Sequence, residues 1–411
     1  MKVDKYILEA IIRKEIDNDV YLTTVKDDPK KYVTQVYKRE EIEHSERRKY
    51  LENEITILRY LDHPHIIKLL DIKKSKKNYY LIFEYCNGGA LSEALTKYIE
   101  KYGKPFPEEI IQHLMRQVID SFKYIHEKKI IHRDISLYHI LLNYENEADA
   151  TNLNLMKAQI KIAGFNYSCR ISKNGLKYSF VGTEIENKDP LFLLNMMNPS
   201  KKARPLGYNE KADIWSIGSI CYELLIGKPV FDAENFEDYV EKIEKRVYYI
   251  PTTLSYEAIS FINGMLQYEN KKRLSASQLS RHDFLNKEVN KFKKINLEKV
   301  SNKIKVESGK SETINNKDST IWSIFNEKDE SLLSSILGTE YIKPIDKKEV
   351  LEFSKVNLKE SSVKLPPRCI PDNPIDVKIT GMSKEEFDEM KKNSKNNLED
   401  NPLDGNNIMD N

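Results

Sequence analysis

The sequence predicts an α+β fold of two unequal lobes, a small β-rich lobe carrying one main helix and a larger α-helical lobe, followed by a mostly disordered tail. Three observations predict it. Short alternating apolar runs fill Tyr6 to Ile82 and are interrupted by one helix-like stretch, Glu43 to Leu61, the mixture of period-2 and period-3.6 patterns that a small sheet with one helix needs. From Leu91 onward the apolar spacing is helical, first through Glu108 to Glu127, then from Ala212 to Gly218 and on to His282-Asp283-Phe284-Leu285. Beyond Asn286 the composition turns to Lys, Asn, Ser and Glu, which bury too little apolar surface to offset the entropy of ordering a chain.

A chain of 411 residues has room for one such domain and a sizeable appendage. The boundaries that follow are a domain over residues 1–288, with its first lobe at about 1–84 and its second at about 88–288, and a tail over 289–411. Asn87-Gly88-Gly89 supplies the turn between the lobes. Within the tail, Ile321, Trp322, Ile324, Phe325, Leu332, Leu333, Ile336 and Leu337 gather most of the apolar content. Leu365-Pro366-Pro367 is expected to be extended, and Ser383 with Glu386 to cap a short charged helix.

The 66 basic and 64 acidic side chains leave a formal charge of +2. No global field recruits nucleic acid, and the run Lys73 to Lys77 reads as a solvated loop. No apolar run is long enough to span a membrane, and the first ten residues carry charges at Lys2, Asp4, Lys5 and Glu9, unlike a secretory leader. Cys86, Cys169, Cys221 and Cys369 are scattered, without metal-ligand spacing or the density of a disulfide framework. A cytoplasmic protein in a reducing compartment is the expectation.

The most informative segments are His132-Arg133-Asp134-Ile135-Ser136-Leu137-Tyr138-His139-Ile140-Leu141-Leu142 and Ile160-Lys161-Ile162-Ala163-Gly164-Phe165-Asn166. In order and spacing they resemble the catalytic core of the protein kinase family, of the serine/threonine type, with its metal ligands replaced, as in a degenerate pseudokinase branch. The resemblance covers about Tyr6 to Leu285 and implies the two-lobed kinase-like fold. It assigns Asp134 to the acceptor of the substrate hydroxyl proton, here vestigial, and Arg133 to the arginine that contacts an ordered activation loop. Asp134 has a structural reading of equal weight, as a hydrogen-bond acceptor bracing its loop. Lys38 and Glu54 are assigned to the phosphate-pairing lysine and its helix glutamate. Val20, Val36 and Leu141 are assigned to the slot for adenine, where Val36 replaces a smaller alanine. Leu58, Leu69, His132 and Phe165 are assigned to the column of side chains that crosses the lobes, with Asp213 at its base.

The departures concern charge. His139 and Gly164 stand where the family places its two magnesium ligands; glycine has no side chain, and imidazole matches poorly a cation that prefers oxygen. Between Ile12 and Val20 the expected glycines are absent and Arg13-Lys14-Glu15-Ile16-Asp17-Asn18 stands instead. Ser136 replaces a lysine, and Lys188-Asp189-Pro190 replaces alanine, proline, glutamate, after a Gly182-Thr183 that resembles the start of the substrate-binding loop. Arg273 then has Asp189 as its partner, or is solvated. Losing one preorganised electrostatic group typically costs ~100 to 1000-fold in kcat, and two are lost here.

The function expected is therefore a catalytically impaired kinase-like domain that acts as a scaffold or allosteric regulator in intracellular signalling. No cofactor is expected: ATP would bind weakly and magnesium would find no ligands. The partner is another protein, such as an active kinase, with no nucleic acid and no membrane span. Two alternatives stay open, an active unconventional serine/threonine kinase using Lys38 and Asp134 with a metal held by other groups, and nucleotide binding without transfer.

Overall fold

The computed structural model describes residues 1–291 and Thr380–Gly381, less residues 16–17, 44–46, most of 172–206 and scattered positions between 232 and 252. The tail cluster around Trp322, the segments at Leu365 and Ser383, and Gly182-Thr183 lie outside the described residues.

The first lobe is an antiparallel sheet built by consecutive hairpins. Strands β1 (Lys2–Val3), β2 (Tyr6–Lys14), β3 (Asp19–Val25) and β4 (Asp28–Lys38) pair in chain order. Strand β6 (Asn78–Glu84) then lies beside β4, and β5 (Leu69–Lys74) lies outside β6. Thr380–Gly381 pairs with the outer edge of β5, at Lys74 and Lys73. Between β4 and β5 the chain forms a short α1 (Arg39–Ile42) and α2 (Arg47–Tyr60), the helix predicted over Glu43 to Leu61.

The period of a strand decides what this lobe presents to its neighbours. On β4, Val33, Gln35 and Tyr37 face the side of α2, whereas Val36 packs on the opposite face with Val3, Tyr6, Leu8, Tyr80 and Ile82. A buried hydroxyl pair, Thr23 to Thr34 at 2.8 Å, ties β3 to β4 on that second face. Helix α2 buries Leu51, Ile55, Ile57 and Leu58, and Glu54 is buried among them.

The crossing to the second lobe runs through Cys86 to Gly89. Gly88 is required there, since a Cβ would meet Tyr144 and Leu142 at 2.5 to 2.8 Å. Asn87 fixes the crossing by accepting from the Tyr144 amide at 2.8 Å and donating to the Tyr144 carbonyl at 3.2 Å.

The second lobe is helical. Helices α3 (Leu91–Tyr102) and α4 (Glu108–Glu127) precede a short ladder of β8 (Ile140–Asn143) with β9 (Gln159–Ile162). Helix α6 (Lys211–Ile226), preceded by the short α5 (Glu147–Thr151), runs through the lobe centre, with Ile214, Ile217 and Ile220 fully buried. Helices α7 (Tyr256–Met265), α8 (Ala276–Leu279) and α9 (Asp283–Asn286) complete it. Ser275 and Gln278 form the reciprocal N-terminal cap of α8. The end of the fold is clamped by α4, where Gln112 donates to the carbonyls of Phe284 and Lys287 and Arg116 donates to that of Leu285. No helix among the described residues is long and apolar enough to cross a membrane.

Candidate functional site

Between the lobes lies a cavity of about 750 Å³. Val20, Leu22 and Val33 form its roof and Leu141 its floor, with Phe83 to Asn87 along the crossing. Val20 and Leu141 thus line this cavity, but Val36 does not. The residue under the roof is Val33, because Val36 is three positions along an alternating strand and points to the other face of the sheet.

The same alternation corrects Lys38. Its side chain is 59% exposed and pairs with Glu41 at 2.8 Å, one turn into α1, a contact that raises its proton affinity. It does not reach Glu54. The position on β4 that faces Glu54 across the cleft is held by Gln35, with Tyr37 between them: the Tyr37 hydroxyl lies 3.0 Å from Gln35 Oε1 and 3.5 Å from Glu54 Oε2. Gln35 and Tyr37 are therefore cleft positions that sequence reasoning passed over. The signal available was the parity of Val33, Gln35 and Tyr37.

Glu54 is 3% exposed. Burial is the first cause that pushes its carboxyl up to about 8, and the negative charge of Glu15 on the β2–β3 hairpin adds to it; hydrogen bonds from Tyr37 and the Phe165 amide oppose the rise only partly. A protonated Glu54 can donate to Tyr37 while Tyr37 donates to Gln35, so the three groups make a directed chain that holds α2 against β4 without an ion pair. At the rim, Glu15 is held by Arg13 at 3.2 Å and by the Asn18 amide at 2.9 Å. Ile16 and Asp17 lie outside the described residues.

Asp134 and Arg133 lie on the loop between β7 (Ile130–Ile131) and β8. Asp213, on the first turn of α6, braces that loop by accepting from the amides of His132 at 2.9 Å and Arg133 at 2.8 Å, and from His126 Nε2 at 2.9 Å. Burial first favours the acid form of Asp213, but these donors and the nearby imidazoles win and lower its pKa. His132 is wholly buried, which pushes it down to about 4, so it is neutral and its Nε2 donates to the Ala163 carbonyl at 2.9 Å. Its ring meets Phe165 edge-on at 4.7 Å. Leu58 and Phe165 are buried and Leu69 partly buried in the same core.

Asp134 is 1% exposed and its Oδ1 accepts from Lys188 Nζ at 2.8 Å. Lys188, itself 4% exposed, also donates to the Arg133 carbonyl at 2.9 Å. The cation beside Asp134 thus comes from Lys188, fifty-odd residues downstream in the chain. The local sequence held no signal for this, since the contact depends on how the later segment folds back. Arg133 adopts φ +70° and donates through Nε to the Tyr167 carbonyl at 2.6 Å and through Nη1 to the Tyr208 hydroxyl at 3.2 Å. Of the two settings left open for Arg273, the structure has the paired one: it is 1% exposed, bonded to Asp189 and to the Gln267 carbonyl, and stacked against Trp215.

His139 and Gly164 form one packing unit. Gly164 has φ +78°, and a Cβ built there would lie 2.5 to 2.8 Å from the His139 ring. The ring therefore occupies the space of the missing side chain. Its Nδ1 is 2.6 Å from the Asp134 carbonyl, to which it donates, and 3.7 Å from Asp134 Oδ2. A glycine and an imidazole whose near nitrogen is already engaged make a poor donor set for a hard cation. Among the described residues no cluster of three or more His, Cys, Asp or Glu is placed to hold a metal.

A family model described as a protein kinase domain matches residues 18–285. The match begins beside the hairpin rim at Asn18 and ends at Leu285, the residue whose carbonyl Arg116 clamps.

Proposed function

The chain belongs to the protein kinase family, and from that premise we propose that it is a kinase-fold domain without phosphotransfer, serving as a scaffold or allosteric regulator that presents a kinase-shaped surface to a protein partner, such as an active kinase. The observation that carries this reading is the interlock of His139 with Gly164, which fills the place of one magnesium ligand with the ring that replaces the other. Gln35 in place of a cation facing Glu54 points the same way, as phosphoryl transfer is mainly electrostatic stabilisation of a charged group. The bracing of the loop by Asp213 and the packed column of Leu58, His132 and Phe165 keep the shape that a partner would read. On this reading no cofactor is needed, ATP binds weakly and magnesium adds nothing.

A second reading, an active unconventional kinase, draws on Lys188, which puts a cation beside Asp134. Against it, that lysine already consumes an Asp134 oxygen in a buried pair, and proton acceptance from a substrate would have to displace it. The test is radiolabelled ATP with magnesium and with manganese, for the native chain and Asp134→Ala. The expected result is no transfer above the Asp134→Ala background, to itself or to generic substrates; transfer lost on that substitution would overturn the proposal.

A further inference from the structure

The cleft has the volume and apolar walls to take a planar ring, and along it carboxylates outnumber the cations Arg13, Lys97 and Lys101. Five carboxylates line it: Glu15, Glu54, Glu84, Glu93 and Glu147. Four of them face a cation, Glu15 with Arg13 at 3.2 Å, Glu84 with Lys161 at 3.0 Å, Glu93 with Lys97 at 4.0 Å and Glu147 with Lys31 at 3.8 Å. Glu54 is different. It is the most buried, and among the described residues it meets only the Tyr37 hydroxyl and the Phe165 amide, with no cation in contact.

We propose that this cleft binds a planar heterocyclic ligand that carries a basic amine and no phosphate, with the ring between Val20, Val33 and Leu141 and the ammonium against Glu54. The claim rests on the reading that the cleft does not serve magnesium-ATP, and it names what the cleft takes instead. Cavities of this size bury most of a small organic molecule and orient it with few polar groups. A carboxyl held in low dielectric without a counter-ion gains a charge-assisted hydrogen bond when a ligand ammonium reaches it. Tyr37 and Gln35 add a hydroxyl and an amide beside it that a neutral hydrogen-bonding edge can use. A phosphate placed against Glu54 finds Gln35 and Tyr37 rather than a cation and would oppose release of the Glu54 proton, while the nearest rim cation, Arg13, is already paired with Glu15.

The test uses the full chain and four probes that share one base and sugar: 5′-amino-5′-deoxyadenosine, adenosine, AMP and magnesium-ATP. Titration calorimetry at pH 7.5 is expected to find the amine at least about tenfold tighter than adenosine, the size of one charge-assisted bond, and AMP and ATP weaker than adenosine. Glu54→Gln should bring the amine to within about twofold of adenosine. Gln35→Lys, which places a built-in cation beside Glu54, should do the same, and it keeps the test sound if Glu54→Gln does not fold. AMP or ATP binding more tightly than the amine, no binding of the amine, or an amine preference that survives in both variants would each overturn the proposal. Label transfer from ATP is read separately, so an active enzyme with an amine preference, or an inactive one without it, tells the two claims apart.

Discussion

Replacing Glu54 by Gln removes a buried acid that the fold holds mostly in its protonated form. Its folded value is pushed from 4.5 to about 8, first by burial and then by Glu15. Each pH unit of such a displacement is worth about 1.4 kcal/mol, so the ceiling on what Glu54 costs at alkaline pH is about 5 kcal/mol; relaxation around the charged form makes ~2 to 4 kcal/mol the expected cost. The sign follows from proton counting. Below pH 4.5 both folded and unfolded chains hold the proton and Glu54 is neutral in its effect. Between 4.5 and about 8 the unfolded chain has released it and the folded chain has not, so stability falls as pH rises; above about 8 both have released it and the cost is complete. Urea unfolding followed by circular dichroism at pH 5, 7 and 9, on native and Glu54→Gln chains, isolates this group because every other titration is shared. The variant should be close to native at pH 5 and more stable by ~2 to 4 kcal/mol at pH 9. A difference independent of pH, or one that shrinks toward pH 9, would mean that Glu54 is not the buried, uncompensated acid described here.

Gly164→Asp should lower stability by ~2 to 4 kcal/mol without reviving transfer, since its Cβ strikes the His139 ring and the backbone there is left-handed; thermal melts of the single variant and of Gly164→Asp with His139→Asn should show the second change recovering part of the loss. Lys188→Met takes the cation from a buried carboxylate and should cost ~3 to 5 kcal/mol, with much of it returned when Asp134→Asn is added. A double-mutant cycle that finds these two sites additive within ~0.5 kcal/mol would refute the pair. Limited digestion should leave a stable fragment ending near residue 288, because the carbonyls of Phe284, Leu285 and Lys287 are held by α4; trimming into α7 or α8 would show that those bonds do not close the fold.

The elements that carry strong period and composition were legible. The helix at Arg47–Tyr60, the long α4 and the β8–β9 ladder follow from apolar spacing alone, and the loop from His132 to His139 follows from its motif. Lys38 was misplaced for a reason that lies in strand geometry: a lysine looks like the right residue, but parity sends it to the face of the sheet away from Glu54, where it is exposed at the strand end, and the inward position holds a glutamine that has no distinctive signal. Val36 fails for the same reason. Lys188 was beyond reach of sequence because its partner is distant and its own neighbourhood departs from the family pattern. His139 and Gly164 were each singled out in the sequence, but only their side-by-side placement shows that the ring of one fills the space a side chain at the other would take.

These residues form compensated pairs. No lysine faces Glu54 among the described residues, and the carboxyl keeps its place by holding its proton and bonding through Tyr37 to Gln35. Position 136 is a serine, and Lys188 neutralises Asp134 from another segment. Position 164 is a glycine, and the His139 imidazole takes up the volume a side chain there would fill. A site without these pairings would leave buried charges uncompensated and voids open, each costing a few kcal/mol of a total stability of about 5 to 15. Here the large terms are met, with the Ser136 hydroxyl and the Asn18 and Asn166 side-chain oxygens as the small residual cost around the cleft. The pairs Glu54–Tyr37–Gln35, Asp134–Lys188 and His139–Gly164 therefore hold the cleft in shape through the chain's own side chains, which is the physical condition on which the proposed scaffold role and the proposed amine ligand both depend.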